Sequence, residues 1–304
     1  MENPSIHIKH LSKSYGDVEA LRDINLEVGR GEVFGLIGPD GAGKTTLFRI
    51  LNTLLLPDAG SATVEGFDVV HDFRKIRGIT GYMAGRFSLY QDLTVEENLR
   101  FYATVFGTTV EENYELVRDI YSHIEPFKNR RAGKLSGGMK QKLALSCALI
   151  HKPAVLVLDE PTTGVDAVSR KEFWEMLLRL RVHKITILVS TPYMDEAGLC
   201  DRVALIQDGN ILSVDTPMNI IRNFSGRLLA VSAPDLYKLK RDLESFEAAG
   251  SVYLFGQNLH LSLGEKGEEN ELRRYLRNRG HESLSIESIQ PTIEDCFLQL
   301  MVKS

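Results

Sequence analysis

The stretch "GEVFGLIGPDGAGKTT", residues 31–46, joins an apolar strand to a helix through a glycine-rich loop. Residues 38–45 match the pattern G-x-x-x-x-G-K-[ST], with a strand before and the helical run "KTTLFRILNTLL" after. Glycines here let successive backbone N–H groups turn inward around phosphate oxygens, and the positive end of the following helix adds to their field. The stretch therefore predicts a phosphate-binding loop (P-loop) in an α/β domain.

The P-loop predicts a site for a nucleoside triphosphate with Mg²⁺. Lys44 would reach the β- and γ-phosphates, and the Thr45 hydroxyl would bind the metal ion. The alternative is a glycine-rich turn with a surface lysine. The loop residues expected to contact the nucleotide are Gly38, Asp40, Gly41, Ala42, Gly43, Lys44, Thr45 and Thr46.

A second apolar strand, "VLVLDEP" at residues 155–161, ends in two carboxylates. Asp159 at the strand's end would hold the metal ion through its water shell. Glu160 could polarise a water for attack on the γ-phosphate and is the predicted catalytic residue. Such a pair alone is more often a solvated turn; the upstream P-loop favours the catalytic interpretation.

The stretch "KLSGGMKQKLALSCALI", residues 134–150, predicts a helix with an exposed N-terminus. Ser136 has the residue type of an N-cap, and Gly137 and Gly138 permit a close backbone approach. The N-terminus would be a second anion site, separate from the P-loop. A simple capped helix is the alternative.

The order of these segments predicts two domains. Residues 1–225 alternate strands with helices. The continuous apolar runs in "GEVFGLIG", "AVLVLDEP" and "KITILVST" predict central strands of a parallel sheet covered on both faces. Residues 226–304 read βαββαβ, with a hairpin around Gly256-Gln257, which predicts a small α+β, ferredoxin-like domain.

Composition narrows the class of protein. With 43% hydrophobic and 25% charged residues, the 304-residue chain is typical of a water-soluble globular protein. A net charge of −5 argues against a general nucleic-acid binder. The three cysteines lie far apart without a CxxC pair, which favours buried thiols in a reducing compartment. No apolar run reaches a membrane span and no signal peptide opens the chain, so we expect a cytoplasmic location.

The motifs together make residues 1 to about 222 resemble the ATP-binding subunits of ABC transporters, specifically exporters whose ATPase is separate from the membrane permease. "LSGG" at 135–138 matches the family signature, 21 residues before Asp159, with Met139 where glutamine is common. "GVD" at 164–166 matches the D-loop. The tail ending "IQPTIEDCFLQL" is similar to the C-terminal extension of many such exporter subunits.

The resemblance implies roles that the residues alone do not establish. Tyr15 would stack on adenine, and Asp166 would carry the main role of the D-loop. Two ATPase domains would pair head to tail, so that ATP on one P-loop, with Mg²⁺, is covered by Ser136, Gly137 and Gly138 of the partner chain. A membrane permease of the ABC-2 type would hold the pair peripherally at the cytoplasmic face of the membrane and be moved by its cycle.

Two positions depart from the family pattern. The family usually has a histidine in contact with the γ-phosphate where this chain has Pro192, and a Q-loop glutamine that touches the metal and the attacking water where it has Gly85. Neither replacement donates or accepts a hydrogen bond through its side chain. Losing one such group typically costs about 10²- to 10⁴-fold in rate. We therefore expect Mg-ATP to bind well and to be hydrolysed slowly.

The sequence leaves alternatives for assembly and role. The most economical hypothesis is a heterodimer with a second ATP-binding subunit, in which this P-loop builds the slow site; the competing one is a working homodimer. A non-catalytic nucleotide-binding clamp subunit is the alternative function. A soluble ABC protein acting on ribosomes or DNA would usually carry two cassettes or long coiled coils.

A short apolar group, Phe87, Leu89 and Tyr90, lies near where the family docks the permease's coupling helix. Docking and ordinary core packing explain this group about equally well. The transported substrate has no signature in the chain, and we expect drug-like export.

Overall fold

The computed structural model describes residues 3–264 and 267–303, except the side chains of residues 302 and 303. It divides the chain into two compact units, Met1–Asp215 and Thr216–Ser304. The division comes before helix Pro217–Arg222 and ten residues before the predicted boundary at 225/226. Residues 1, 2, 265, 266 and 304 of the predicted domains lie outside the described residues.

The first unit is built on two sheets. Its strands are β1 (Ile6–Tyr15), β2 (Val18–Val28), β3 (Val33–Ile37), β4 (Ala59–Val64), β5 (Phe67–Asp68), β6 (Thr80–Met83), β7 (Val155–Asp159), β8 (Thr186–Thr191), β9 (Arg202–Gln207) and β10 (Asn210–Asp215). Four form an antiparallel sheet in the order β2-β1-β4-β5. Six form the central sheet, β10-β9-β3-β8-β7-β6, parallel except for β10.

Helices accompany these sheets. They are α1 (Lys44–Leu51), α2 (Phe73–Ile79), α3 (Val95–Val105), α4 (Tyr114–Tyr121), α5 (Gly137–Leu149) and α6 (Ala167–Arg179), with short 3₁₀ turns at Glu125–Phe127, Ala132–Lys134, Leu180–His183 and Met194–Leu199. Ser136 caps α5 by accepting a hydrogen bond from the Met139 amide, as the sequence predicts. Thr94 and Glu97 form a reciprocal capping box on α3.

The strands predicted to be central are buried along their whole length. Every residue of β3, β7 and β8 is buried. Because a parallel sheet has both faces covered, its strands read as continuous apolar runs, which is why the sequence identified them. Their carboxyl ends lie side by side, since β8 pairs with β3 on one side and β7 on the other. The polar side chains of the candidate site lie at that edge.

The second unit begins with α7 (Pro217–Arg222) and continues as β11 (Arg227–Ser232), α8 (Leu236–Glu244), β12 (Ala249–Phe255), β13 (Asn258–Leu263), α9 (Glu269–Asn278), β14 (Ser285–Ile289) and α10 (Ile293–Lys303). The predicted βαββαβ order is confirmed. The antiparallel sheet runs β12-β13-β11-β14, the ferredoxin-like arrangement, over its own apolar core. Phe255 pairs with Asn258, so Gly256 and Gln257 form the predicted two-residue turn.

All three cysteines are free and buried, as predicted. Burial raises the pKa of the Cys200 and Cys296 thiols to about 12. These thiols are therefore unreactive at neutral pH.

Candidate active site

The P-loop leaves the end of β3 and enters α1, and two of its glycines, Gly38 and Gly43, have no room for a side chain. Gly43 has φ +103°, and a Cβ there would lie 2.3 Å from the carbonyl oxygen of Ala20. A Cβ at Gly38 would lie 2.1 Å from the carbonyl oxygen of Ile206. Strands β2 and β9 therefore press on the loop from outside and fix its backbone. Gly38 and Gly43 could not be replaced by a larger residue without moving these strands.

Lys44 lies under the loop, with 3% of its side chain exposed. Its Nζ donates hydrogen bonds to the carbonyl oxygens of Gly38 (2.8 Å) and Pro39 (2.9 Å). The same Nζ lies 3.0 Å from Glu160 Oε1. The structure thus brings the predicted phosphate ligand and the predicted catalytic carboxylate into one ion pair.

Asp159 receives two hydroxyl donors on a single oxygen. Thr45 Oγ1 donates to its Oδ1 at 3.1 Å, and Ser190 Oγ donates to the same atom at 2.9 Å. Burial raises the pKa of the Asp159 carboxyl, and the two hydrogen bonds partly oppose that rise. Asp159 is only 2% exposed.

The Thr45–Asp159 pair fits a magnesium ion. A hydroxyl and a carboxylate oxygen are hard donors, and Mg²⁺ is usually held by one or two carboxylates together with substrate phosphates and waters. Over residues 3–264 and 267–303, no group of three or more His, Cys, Asp or Glu side chains could hold a metal ion. The donor set is therefore one that a nucleotide completes.

Glu160 follows β7 in a strained backbone conformation, with φ +48°. Its amide donates to Ser190 Oγ at 3.0 Å and to the Ser190 carbonyl oxygen at 3.2 Å. Its carboxylate meets Lys44, and Thr163 Oγ1 donates to Oε2 at 3.4 Å. The side chain is 21% exposed, so water has access to it.

Both substituted positions border this cluster. Ile37 pairs with Thr191 across β3 and β8, and the Gly38 amide donates to the Thr191 carbonyl at 3.3 Å, so Pro192 comes directly beside the start of the P-loop. A Cβ built on Gly85 would lie 3.0 Å from the Asp159 carbonyl oxygen and 3.9 Å from its Cγ. The site therefore has a proline on one side and a bare glycine on the other.

The predicted ligands outside the P-loop and β7 lie on other elements. Tyr15 is the last residue of β1 and is 47% exposed. Ser136 is the N-cap of α5. A Cβ built on Gly137, the first residue of α5, would lie 3.9 Å from the carbonyl oxygen of Gly164. Asp166 caps α6 by accepting from the Val168 and Ser169 amides, and the Ser169 amide bond in particular lowers the pKa of its carboxyl. Signature and D-loop thus adjoin each other, while their nucleotide roles stay predictions.

Two residues at the site were missed from sequence. Ser190 joins Asp159 to Glu160, and Tyr82 on β6 has its hydroxyl pKa raised to about 12, chiefly by burial and then by the charge of Asp159. The signal for Ser190 was a serine near the polar end of an apolar strand. Choosing it needed the register that places Ser190 opposite Asp159.

The apolar group after Gly85 is divided. Leu89 is 8% exposed and belongs to the core, whereas Tyr90 is 51% exposed. The Tyr90 and Phe101 rings pack edge-on, with their centroids 4.8 Å apart. Phe87 and Leu89 line a cavity of about 600 Å³ that also reaches Gly85 and Glu160. Core packing is therefore the explanation for Leu89, and docking stays a prediction for Tyr90.

The chain is similar to known proteins over nearly its whole length. The profile of the family described as ABC transporter matches residues 21–163. The Nod factor export ATP-binding protein I of Rhizobium etli is 33% identical over 300 residues, covering 97% of this chain and 93% of that protein. The chain belongs to the ABC transporter family, among its ATP-binding proteins.

Other relatives agree with this membership. The probable multidrug ABC transporter ATP-binding protein YbhF of Escherichia coli K12 is 38% identical over 308 residues, covering 99% of this chain but 53% of that protein. The chain thus spans about half the length of that relative. The relatives are named for multidrug and Nod factor export, which does not favour the alternative of a non-catalytic subunit.

Solved structures agree with the fold. The ATP-binding subunit of an ABC transporter is similar with a TM-score of 0.66 and 28% identity, covering 72% of this chain and 92% of that one. The dimeric post-hydrolysis structure of the cassette MJ0796 bound to ADP and Pi has a TM-score of 0.63 and 25% identity, covering 69% of this chain and 98% of that one. In the described part of the chain, no helix is both long and apolar enough to cross a membrane.

Proposed function

We propose that this chain is the ATP-binding subunit of an exporter, binding Mg-ATP firmly at residues 38–46 and hydrolysing it slowly. One observation carries the proposal: Lys44 Nζ lies 3.0 Å from Glu160 Oε1, and Thr45 Oγ1 lies 3.1 Å from Asp159 Oδ1. A phosphate ligand, a base and a metal-binding pair therefore converge at the end of one sheet. The alternative of a glycine-rich turn with a surface lysine does not fit a lysine that is 3% exposed.

Each residue has a defined task in this proposal. The P-loop amides and Lys44 would bind the β- and γ-phosphates, so Lys44 would turn from Glu160 towards the nucleotide. Thr45 and Asp159 would hold Mg²⁺, which when bound neutralises charge that develops on the phosphates. Glu160, released from its lysine, would accept a proton from the attacking water. Tyr15 would stack on the adenine.

Slow hydrolysis follows from Pro192 and Gly85. A histidine and a glutamine at these positions would lie beside the P-loop and beside Asp159, where they could orient the water and stabilise charge. Proline and glycine supply no such group, so the attacking water is held mainly by Glu160. Ground-state contacts from Lys44 and the loop amides are unaffected, so binding is retained while turnover falls.

The proposal includes partners. A second ATP-binding subunit would cover the nucleotide with its own signature helix, and Ser136, Gly137, Gly138 and Asp166 of this chain would complete the partner's site. The dimeric cassette bound to ADP and Pi supports pairing of this kind. We prefer an asymmetric pair, in which this P-loop builds a slow site and the partner's P-loop builds an active one. The pair would work under an ABC-2 permease at the cytoplasmic face of the membrane.

Steady-state ATP turnover of the purified chain and of Glu160→Gln tests the catalytic assignment. We expect a low rate in the wild-type chain that falls further in the variant. Turnover of several per second that Glu160→Gln leaves unchanged would contradict the role of Glu160. Turnover of that size that requires Glu160 would instead contradict the slow site.

Calorimetry tests the binding assignment separately. Mg-ATP should bind the wild-type chain at micromolar to submillimolar concentrations, and Lys44→Ala should lose most of that affinity. Absence of binding to the wild-type chain at millimolar Mg-ATP would refute the proposed site.

A further inference from the structure

Ser190 is a fully buried serine in β8 that touches both carboxylate residues of the site. We propose that Ser190 is a positioning residue that holds the backbone of Glu160 in the orientation needed for catalysis. The inference rests on the proposed function, since it presumes that Glu160 acts as the base.

The contacts of Ser190 use both hydrogen-bonding capacities of its hydroxyl. Oγ donates its proton to Asp159 Oδ1 at 2.9 Å and accepts from the Glu160 amide at 3.0 Å. A valine or alanine at this position would leave that amide with only the longer 3.2 Å bond to the Ser190 carbonyl oxygen. The hydroxyl thus ties the metal-binding carboxylate to the peptide group of the next residue.

Glu160 needs such a tie because its backbone is strained. Its φ of +48° lies in the left-handed region, which non-glycine residues rarely adopt. The residue before a proline normally prefers an extended conformation, and Pro161 follows directly. Strain of this kind persists only where surrounding contacts fix it. Lys44 and Thr163 hold the carboxylate of Glu160, but they do not contact its amide in the described structure.

The two residues that follow Ser190 do not share its contacts. Thr191 uses its hydroxyl to accept from the Tyr193 amide at 3.0 Å, and Pro192 has no polar side-chain atom. Within the described residues, Ser190 is therefore the side chain through which the end of β8 reaches Asp159 and Glu160. With no histidine to touch the phosphate, β8 acts on the reaction through the position of Glu160.

The test compares Ser190→Ala with Ser146→Ala, a control that removes another fully buried serine hydroxyl, one that donates to the Lys142 carbonyl oxygen. Steady-state kinetics should show kcat lowered about 10- to 100-fold in Ser190→Ala, with KM for ATP changed less than about threefold. Ser190→Thr, which keeps the hydroxyl, should recover most of the rate. Ser146→Ala should match the wild-type chain in kcat. Thermal unfolding of all variants checks that they fold.

Hydrogen exchange in the nucleotide-free, metal-free chain gives a readout that does not depend on activity. The first two residues of a fragment do not retain deuterium, and Pro161 has no amide. The difference between fragments that begin at Leu158 and at Asp159 and share the same end therefore isolates the Glu160 amide. We expect that amide to exchange about tenfold faster in Ser190→Ala and unchanged in Ser146→Ala. Unchanged protection of Glu160, or a loss of kcat/KM carried by KM alone, would overturn the inference. Neither result would affect Mg-ATP binding through Lys44, so the proposed function stands or falls separately.

Discussion

At the scale of single residues, the site combines the predicted phosphate-binding loop with two positions, Pro192 and Gly85, that have no hydrogen-bonding side chain. Lys44, Thr45, Asp159 and Glu160 are brought together by the ends of three strands. Pro192, unlike the residues on either side of it, has no side-chain group that can carry a proton. The expected defect is therefore in the rate of hydrolysis rather than in nucleotide affinity.

Replacing Pro192 by histidine should return a proton-handling group to the γ-phosphate side of the site. We expect Pro192→His to raise kcat about tenfold or more, with KM for ATP nearly unchanged. Pro192→Ala is the matched control, since it removes the ring without adding an imidazole, and it should stay slow. Equal rates for the two variants in a steady-state ATPase assay would show that residue 192 does not limit hydrolysis.

Asp159 gives a prediction with a defined pH sign. Burial raises the pKa of its carboxyl, so the folded chain binds a proton more tightly than the unfolded chain. Stability is therefore lost as the pH rises from the ordinary carboxyl pKa through the raised one. Asp159→Asn escapes this loss, because asparagine is neutral and its oxygen can still accept from Thr45 and Ser190.

We therefore expect Asp159→Asn, without nucleotide or metal, to melt a few degrees higher than the wild-type chain at pH 8. The difference should shrink towards pH 4, close to the ordinary carboxyl pKa, below which the wild-type carboxyl is protonated in both states. Thermal unfolding followed by circular dichroism at both pH values checks this. A lower melting temperature for the variant at pH 8 would mean that the ionised carboxyl stabilises the fold.

At the scale of elements, the loop after Gly85 is held by one buried side chain from α3. Asn98, 0% exposed, accepts from the Tyr90 amide at 3.0 Å and donates to the carbonyl oxygens of Tyr90 (2.9 Å) and Thr94 (2.9 Å). Buried backbone groups of a loop lack the partners that a strand or helix provides, so a side chain such as that of Asn98 satisfies them. Asn98 therefore fixes the segment that carries Tyr90, the side chain predicted to meet the permease.

Replacing Asn98 by alanine should leave several backbone groups of this loop without partners. We expect Asn98→Ala to lower the free energy of unfolding by about 2–4 kcal/mol, since each unsatisfied buried group costs about 1–3 kcal/mol. The control Asn129→Ala changes an exposed asparagine, and its free energy of unfolding should stay within about 0.5 kcal/mol of that of the wild-type chain. Urea denaturation of both variants gives the comparison. A similar small loss in each would mean that the loop is held by other contacts.

The elements also show what sequence could and could not predict. Strands β3, β7 and β8 were predictable because burial on both faces leaves an unbroken apolar run. The ferredoxin-like order was predictable from alternating strands and the Gly256 turn. The role of Ser190 was not, because it depends on which residue lies opposite Asp159, and register between strands far apart in sequence has no local signal. The strain at Glu160 was hidden for the same reason.

At the scale of the whole molecule, each of the two units has a core of its own. The second unit also contains a buried polar pair, His281 and Asp242, joined at 2.9 Å with both residues 5% exposed. We expect the units to melt as separate transitions in differential scanning calorimetry. Mg-ATP should raise only the transition of the first unit, by several degrees at saturating nucleotide.

The complementary variant is Asp242→Ala, which leaves the buried His281 without this partner. It should lower the transition of the second unit by several degrees and leave that of the first unit and its response to Mg-ATP unchanged. A single transition that moves as a whole with nucleotide and with Asp242→Ala would show that the units unfold together.

This site should hold ATP much longer than an ordinary ATPase takes to cleave it. A typical rate of about 10 s⁻¹, lowered about 10²- to 10⁴-fold, gives about 0.1 to 0.001 s⁻¹. The direct measurement is to load the chain with Mg²⁺ and radiolabelled ATP, collect it on a filter at successive times and determine the bound nucleotide. We predict bound nucleotide that stays mostly ATP for several seconds to about ten minutes and is absent from Lys44→Ala. Bound nucleotide that is already ADP within a second, or none bound at all, would contradict the account.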